Sequence, residues 1–467
     1  AHAQFLKVIE GLLTPDNAVR RQAEAAYNQF VASSAEKSSE LLLQLIQQAP
    51  DPQMRMLAAV LLRRCVDSPA KVAALSPGFK TMLMAASIKL VETEQQRGVR
   101  RNLCHLTAAF AASLGGAVTA SGAASGATTG ATPLAQTWPA LLPAILSYAQ
   151  ATNQPGLRES GLYLLSILGE YCQLALRAAA QQVFTCLGAC YQAATSFSAE
   201  AKALLVKSTT GFLLALQPEQ LSAGVPLMQP MMQILSSLLA SGDELAAREA
   251  MDGLVEMAVD QGVAKFMSAS MVHLVMAMVQ IAGSKPLDSQ TRILALEIIC
   301  SLAENRPGLL RKMGQDKTSA VIKVCIEMSA EMDSDGTIDD PAWDVNTFEE
   351  MDDDEGQDSV SGMALEAIGR LGVKLGGRVV LPQAFAMIPA MIADNTDWRK
   401  RRAGILCLAN VSGGAIKMLK PELHKVLAMF LPRLQDPVQR VRFAAAMSVG
   451  LLCQAFDGEM QSVHHAA

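Results

Sequence analysis

Apolar residues recur every three or four positions along most of the chain, which is the spacing of one face of an α-helix. In the stretch 436–452 the apolar stripe consists of Val438, Val441, Ala445, Val449 and Leu452. Asp436 followed by Pro437 has the pattern of an N-cap and a first helical turn. Residues 420–434 have the same period, so the two stretches predict an antiparallel pair of helices joined by a short turn.

The second helix of this pair carries a basic residue, Arg442, and the same arrangement recurs along the chain. The recurring basic positions, each preceded by a comparable local pattern, are Arg20, Arg55, Arg100, Arg158, Lys202, Arg248, Arg292, Arg401 and Arg442. Most intervals between them are about 41–46 residues, within the range of HEAT and armadillo repeats. The longest interval spans about two periods, so it predicts one degenerate unit at 359–377.

A repeated helix pair cannot bury its apolar face alone and has to stack on its neighbours. The pattern therefore predicts an all-α fold, a right-handed α-solenoid of about ten HEAT repeats made of antiparallel helix pairs. Composition agrees, because 51% of the residues are hydrophobic but only 4% are aromatic. We expect the repeat arginines to be stacking residues that reach acidic groups at the preceding turn.

The predicted organisation has six parts. Residues 1–114 hold HEAT repeats 1–3, 115–137 a loop insert of mainly Gly, Ala, Ser and Thr, and 138–330 repeats 4–7 with the first helix of repeat 8. Residues 331–358 form an acidic loop, 359–458 the second helix of repeat 8 with repeats 9 and 10, and 459–467 a disordered tail. The insert lacks the Gly-Lys-Ser/Thr ending of a phosphate-binding loop and is interpreted as a flexible surface loop.

The nine cysteines are scattered through apolar helical stretches, without the spacing of a disulfide framework. They predict reduced, buried thiols, as in the cytosol or nucleus. The most hydrophobic stretch, residues 266–282, contains His273 and Gln280. We interpret it as a fully buried helix, because a membrane span needs about 20 predominantly apolar residues.

The sequence contains no nucleophile elbow, HExxH motif, Cys-x-x-Cys pair or P-loop. Cys186 and Cys190 lie one helical turn apart, but no histidine or further cysteine is near them in sequence, so we interpret them as core residues. No catalytic residue, metal site or cofactor is predicted, and the chain is not expected to be an enzyme. The formal net charge of −5 disfavours direct binding to nucleic acid.

Residues 331–358 hold 13 Asp and Glu residues and no Lys or Arg, which leaves a net positive charge on the remainder. Such a block is commonly a solvated loop. It also contains Trp343 and Phe348, and aromatic anchors among charges suit docking on a basic partner. Both interpretations stay open. A calcium loop is disfavoured because Gly336 comes too early in the acidic series.

Several segments resemble the β-karyopherins, the nuclear transport receptors. GLLTPDNAVRRQAEAAY, residues 11–27, is similar to their first repeat, and MRMLAAVLLRR, residues 54–64, to their second. The most specific stretch runs from 376 to 414, GGRVVLPQAFAMIPAMIADNTDWRKRRAGILCLANVSGG, and DDPAWDVNTFEEMDDDE lies within the acidic block. Together they resemble the N-terminal half of the importin-5 branch. The chain departs from that family in its length, about half, and in the additional insert 115–137.

The resemblance implies a non-enzymatic import receptor that shuttles between cytoplasm and nucleus. Its implied partners are the GTP form of the small GTPase Ran at the N-terminal repeats, basic cargo on the concave face and phenylalanine–glycine nucleoporins on the outer face. It implies neither membrane insertion nor direct nucleic-acid binding, and the chain is expected to be a monomer. A chain of this length is expected to bind Ran-GTP but to hold cargo weakly.

The resemblance also implies three sets of candidate residues. Candidates for Ran are Arg20, Arg55, Arg63, Arg64, Arg100 and Arg101, of which the repeat arginines also fit a stacking role. Acidic-loop candidates for Ran contact or cargo release are Asp339, Asp340, Trp343, Glu349, Glu350, Asp352, Asp353 and Asp354. Candidates for cargo are Glu297, Glu304, Glu366, Trp398 and Asn410, although Trp398 also fits a buried residue at a helix start.

Two other classes of protein compete with this interpretation. A HEAT-repeat scaffold subunit, like that of a phosphatase, would use the same stack but does not account for the acidic segment with Trp343. An enzyme regulated by helical repeats would need catalytic residues that the sequence does not show.

Overall fold

The structure, a computed structural model, describes residues 2–115, 134–332, 359–456 and 458–460. Within these residues it consists of helices without a β-strand. Twenty of the described helices form ten consecutive pairs. The first helices are α1 (His2–Leu12), α3 (Ala35–Gln48), α6 (Pro77–Thr93), α9 (Leu141–Ala149), α12 (Ala180–Ala193), α14 (Val225–Ala240), α17 (Met271–Gly283), α20 (Gln315–Ser329), α22 (Gly377–Ala393) and α24 (Leu423–Phe430).

The second helices carry the repeat arginines. They are α2 (Asn17–Ser33), α4 (Pro52–Cys65), α7 (Arg97–Leu114), α10 (Pro155–Tyr171), α13 (Ala199–Ala215), α15 (Glu244–Val259), α18 (Ser289–Asn305), α21 (Val360–Leu375), α23 (Trp398–Leu419) and α25 (Gln439–Ala455). Short helices lie at connections: α5 (Pro69–Ala73), α8 (Leu134–Thr137), α11 (Gln173–Ala178), α16 (Gln261–Phe266) and α19 (Pro307–Arg311). The prediction of an all-α stack of about ten pairs is confirmed, and helix α21 occupies the predicted degenerate unit.

Capping residues define where many of the helices begin. The side chain of Asp16 accepts hydrogen bonds from the backbone N–H groups at the start of α2, and Asp51 does so ahead of Pro52 in α4. Ser359 caps α21 in the same way. These short polar residues satisfy backbone donors that the helix itself leaves unpaired.

The chain divides into two compact units, residues 1–238 and 239–467. In the first unit, α4, α7, α10 and α13 pack side by side in chain order, and in the second unit α15, α18, α21, α23 and α25 do so. Small residues permit the close packing. A Cβ atom on Gly161 of α10 would lie 2.3 Å from the backbone nitrogen of Ala149, and one on Gly414 of α23 would lie 2.2 Å from the backbone of Gly372.

Asp436 is not the N-cap of α25, contrary to the prediction. The N-cap is Val438, and helix α25 begins at Gln439. The Asp436 carboxylate still accepts a hydrogen bond from the Val438 N–H, but it also binds two arginines, as described below. The predicted apolar stripe is largely correct, since Val441 and Leu452 are fully buried and Val449 is half-buried.

The hydrophobic stretch 266–282 is not one fully buried helix. It contains the last residue of α16, a 3₁₀ turn at Met267–Ala269 and most of α17. His273 and Gln280 are exposed on α17, so that helix is amphipathic. In the part of the chain that the structure describes, no helix has the length and hydropathy needed to cross a membrane.

Two predicted boundaries and one cysteine also differ from expectation. Residues 134–137, placed in the insert, form α8 with Leu134 buried, while 116–133 lie outside the described residues. At the start of the predicted tail, Glu459 pairs with Lys420 and Met460 is buried. All nine cysteines are free thiols and eight are buried, but Cys453 is exposed on the solvent side of α25.

Candidate functional site

The repeat basic residues occupy one structural position. Most of them are the fourth residue of their second helix, and their side chains turn back to the carbonyl groups that end the first helix of the same repeat. Nη1 of Arg55 donates to Ala49 O at 2.9 Å, Nε of Arg158 to Ala151 O at 2.9 Å, and Nη1 of Arg442 to Asp436 O at 2.9 Å. These carbonyls lie at the end of the first helix or in the turn after it, where the helix offers no N–H partner, so the arginine satisfies them.

Several of the repeat arginines also join successive repeats through an acidic group, which lies at the turn of the following repeat. This corrects the expectation that it would lie at the preceding turn. Arg55 binds both carboxylate oxygens of Glu94 at 3.0 and 3.1 Å, and Arg292 binds Glu331 at 2.7 Å. The preceding turn contributes backbone carbonyls instead, because its side chains point towards the repeat before it.

The most buried of these pairs joins Arg401 of repeat 9 to Asp436 of repeat 10. Two guanidinium nitrogens donate to the two carboxylate oxygens, each at 2.8 Å, and the side chains are 5% and 0% exposed. Burial alone would raise the pKa of Asp436, but the hydrogen bonds from Arg401 and from the Val438 N–H outweigh it and lower that pKa. Burial would also raise the pKa of Glu94, but the hydrogen bonds from Arg55 and from the Gln96 N–H outweigh it and lower that pKa.

The Ran candidates divide by their contacts. Arg55 and Arg100 are held at turns, since Nη1 of Arg100 donates to the carbonyl of Gln95 at 2.8 Å. Arg20 is exposed and bonds Asn17 on its own helix. Arg63 is half-buried and Arg64 exposed near the end of α4. The second-helix position is therefore common to all six, but a stacking role accounts for Arg55 and Arg100.

Arg101 belongs to a cluster on α7, α10 and α13 that the sequence did not reveal. Its guanidinium lies 4.7 Å from the ring centroid of Tyr163 and donates to Glu200 at 2.9 Å. Arg97 also binds Glu200. The Tyr163 hydroxyl lies 2.8 Å from Nε2 of His105, whose pKa is lowered by burial and by the neighbouring positive charges of Arg63 and Arg101.

Three of the cargo candidates meet around one arginine. On α18, Glu297 and Glu304 each offer both carboxylate oxygens to Arg370 of α21, at 2.6–3.0 Å and 2.9–3.1 Å. Glu366 lies one turn before Arg370, at 3.6 Å. Hydrogen bonds from Arg370 lower the pKa of Glu304, so that carboxylate stays charged. The cluster carries a net charge of about −2, from three carboxylates and one guanidinium.

Arg370 was missed by the sequence analysis, although one local signal was available. It lies four residues after Glu366, which places the two side chains on one helix face. Its approach to Glu297 and Glu304 depends on how α18 packs against α21, and no local pattern reports that.

The other two cargo candidates do not join this cluster. Trp398 is the first residue of α23 and is only 6% exposed, with the Arg399 guanidinium 5.0 Å from its ring centroid. Asn410 is half-buried and donates to the Leu406 carbonyl one turn earlier. The acidic-loop candidates between 339 and 354 lie outside the described residues.

The described residues contain no group of three or more His, Cys, Asp or Glu side chains arranged to hold a metal ion. Cys186 and Cys190 instead donate to the carbonyls of Leu146 and Ala149, at 3.6 and 3.5 Å. Their surroundings are those of core thiols.

Family models match three parts of the chain. They describe an importin repeat at residues 284–382, IPO5-like TPR repeats at 127–275, and a HEAT repeat at 426–456. Importin subunit beta-3 of Saccharomyces cerevisiae is 24% identical over 99% of this chain and 40% of its own length. A probable importin-5 homolog of Dictyostelium discoideum is 22% identical over 92% of this chain and 37% of its own length.

Solved structures give the same result for the fold. The crystal structure of Kap121p matches with a TM-score of 0.81 and 22% identity, covering 100% of this chain and 42% of Kap121p. Other matching structures show Kap121p bound to RanGTP, to Nup53p and to Pho4p. The chain spans about two fifths of the length of the curated relatives it matches. These matches confirm the predicted resemblance: along its whole length the chain is similar to the importin-5 and Kap121 karyopherins.

Proposed function

We propose that the chain acts as a nuclear import receptor and not as an enzyme. In this proposal, basic cargo binds near Glu297, Glu304 and Glu366, Ran-GTP binds the second helices of the N-terminal repeats, and nucleoporins bind the opposite face. The receptor moves between cytoplasm and nucleus as a monomer. Kap121p supports these partner classes, because it has been crystallised with RanGTP, Nup53p and Pho4p.

One observation of the structure supports the proposal independently of the similarity to known proteins. In the first unit, second helices α4 and α7 present arginines, among them Arg64 and Arg101, whereas α18 and α21 of the second unit present the carboxylates around Arg370. Electrostatic complementarity favours an acidic partner surface on the first and a lysine-rich partner on the second. A repeat stack also deforms at low cost per repeat, which suits a receptor for different partners.

The test is the affinity for Ran loaded with a GTP analogue compared with Ran loaded with GDP. We expect the GTP form to bind at least about tenfold more tightly, a difference of about 1.4 kcal/mol. Arg64→Glu is expected to weaken that binding, whereas Lys37→Glu is the matched control on first helix α3 of the same repeat. Equal affinity for the two nucleotide forms contradicts the proposal and favours a scaffold.

A second experiment tests the acidic segment, residues 331–358. Removal of residues 333–358 is expected to change Ran-GTP affinity or cargo release if the segment contacts a partner. Because Glu331 pairs with Arg292, the deletion should begin at 333 to keep that contact intact. No effect on either measurement supports the solvated-loop interpretation.

A further inference from the structure

Glu200 forms an ion pair that differs from the other inter-repeat pairs described above. It lies in the first turn of α13, in repeat 5, and accepts from Arg97 and Arg101 of α7, in repeat 3. The pairs Arg55–Glu94 and Arg401–Asp436 connect successive repeats. The Glu200 bridge passes over the whole of repeat 4.

Geometry makes this bridge sensitive to the local curvature of the stack. Packed helices lie about 8–10 Å apart, so second helices two repeats apart are separated by about twice that in a straight row. An arginine and a glutamate that meet in a hydrogen bond have to be nearly fully extended to cover that separation. The bridge is therefore lost when α7 and α13 move further apart at the start of α10.

Helix α10, which lies between α7 and α13, also contacts the residues of the bridge. Tyr163 of α10 holds the Arg101 guanidinium on its ring face, 4.7 Å from the centroid. Glu159 and Ser160 line a cavity of about 10 Å³ beside it, together with Arg97 and Glu200. Arg101 is thus positioned by packing as well as by the carboxylate.

The bridge is also accessible to a competitor. The side chains of Glu200 and Arg101 are 25% and 34% exposed, and Arg97 is more exposed still. An ion pair at such a surface contributes little net stability, because water and salt screen it. A partner that brings several carboxylates to the two arginines can therefore replace the single carboxylate of Glu200.

We propose that Arg97 together with Arg101, which packs on Tyr163, forms a carboxylate-binding surface for an acidic protein partner, and that Glu200 competes with that partner for the two arginines. While Glu200 is bound, repeats 3–5 stay in the arrangement that the structure shows. When a partner takes the arginines, the bridge is released and the stack relaxes at repeat 4. Coupling of this kind is reciprocal, so any condition that opens the bridge also favours the partner.

The first test measures the distance across the bridge. Spin labels are placed on cysteines introduced at the exposed positions Thr93 and Thr195, with Cys453→Ser removing the exposed native thiol. We expect Glu200→Gln to shift the distance distribution to longer values. The matched control is Glu40→Gln, which removes a carboxylate that pairs with Lys37 on its own helix. An unchanged distance in Glu200→Gln, or an equal change in Glu40→Gln, overturns the proposal.

The second test measures binding of a poly-glutamate peptide at low ionic strength. Glu200→Gln is expected to bind about threefold more tightly than the wild type, and Arg97→Met with Arg101→Met to lose most of the binding. Weaker binding by Glu200→Gln, or unchanged binding by the double variant, contradicts the proposal. Only the identity of the natural acidic partner rests on the proposed function. Since neither test contains Ran, a failed Ran measurement leaves their results intact.

Discussion

Two charge clusters on second helices, one in each unit, use opposite charges in the same way. In the first unit, Arg97 and Arg101 share one glutamate from a distant repeat. In the second unit, Glu297 and Glu304 share one arginine, Arg370, from the next repeat. Each surface therefore keeps an excess of one sign and carries its own counter-ion. In the proposed function, the sign of this excess charge selects the class of partner, and the counter-ion sets how much free energy the partner gains by binding.

The turns at the edge of the stack show no such difference between the units. Arg55 with Glu94 in the first unit and Arg401 with Asp436 in the second have the same geometry, with a guanidinium bridging the turns of two repeats. The ion pairs at the turns therefore have the same structural role in both units, whereas the charge clusters on the second helices differ between the units. Variants at the two places should have different consequences.

The largest loss of stability is expected at the buried ion pair between Arg401 and Asp436. Asp436→Ala leaves the guanidinium of Arg401 buried without its carboxylate, which should cost about 3–5 kcal/mol of unfolding free energy. Hydrogen exchange of α23 and α25, together with denaturant unfolding, measures the loss. Asp67→Ala, at an exposed pair within one segment, is the control and should change little. A loss below about 1 kcal/mol for Asp436→Ala would contradict the structural role.

A close helix contact should give the next largest effect. A methyl group on Gly414 meets the backbone of Gly372, so Gly414→Ala should destabilise the second unit by about 1–3 kcal/mol. The adjacent Gly413 has open space around its Cβ position, so Gly413→Ala should be neutral or slightly stabilising. Denaturant midpoints compare the two, and equal midpoints would show that α21 and α23 do not pack this closely.

A substitution of Arg370, the cation bound by the carboxylates of α18, tests the comparison of the two charge clusters. Arg370→Met releases three carboxylates, so a lysine-rich peptide should bind about tenfold more tightly. Lys374→Met, one turn later on α21, removes the same charge without breaking the four bonds and serves as the control. Weaker peptide binding by Arg370→Met, with the fold retained by circular dichroism, would assign Arg370 to the binding surface itself.

The smallest effect concerns pH. The pKa of Glu94 is lowered in the folded chain, so its contribution to stability is present above the ordinary carboxyl pKa of about 4 and disappears as the pH falls through the lowered value. The melting temperature of Glu94→Gln should therefore lie below that of the wild type at pH 6, by about 2–4 °C. The difference should shrink as the pH falls below about 4 and through the lowered pKa of Glu94, and a difference independent of pH would disprove the linkage.

The repeat and its helices could be predicted because they depend on local patterns. A fourth-residue arginine such as Arg55, a capping Asp16 and a 3.6-residue apolar period are all visible in a short window of sequence. The degenerate unit was found from the same period, although Met363 stands at its fourth position where other repeats have a basic residue.

The contacts between repeats could not be predicted in this way. Asp436 was assigned to the N-cap of α25 because Pro437 follows it, whereas its principal partner, Arg401, lies 35 residues earlier. Glu200 and Arg370 were missed since their partners lie on other repeats. The exposure of Cys453 depends on which face of α25 packs against α23. Apolar residues occur on both faces of that helix, so the sequence pattern does not show which face is buried.

The most direct test of the account compares charge reversals on the two surfaces in paired binding measurements. We predict that Arg64→Glu with Arg101→Glu removes Ran-GTP binding while leaving lysine-rich peptide binding unchanged. Glu304→Lys with Glu366→Lys should do the reverse. If both pairs of variants weaken both partners equally, or neither pair affects either partner, the assignment of opposite partners to the two surfaces is wrong.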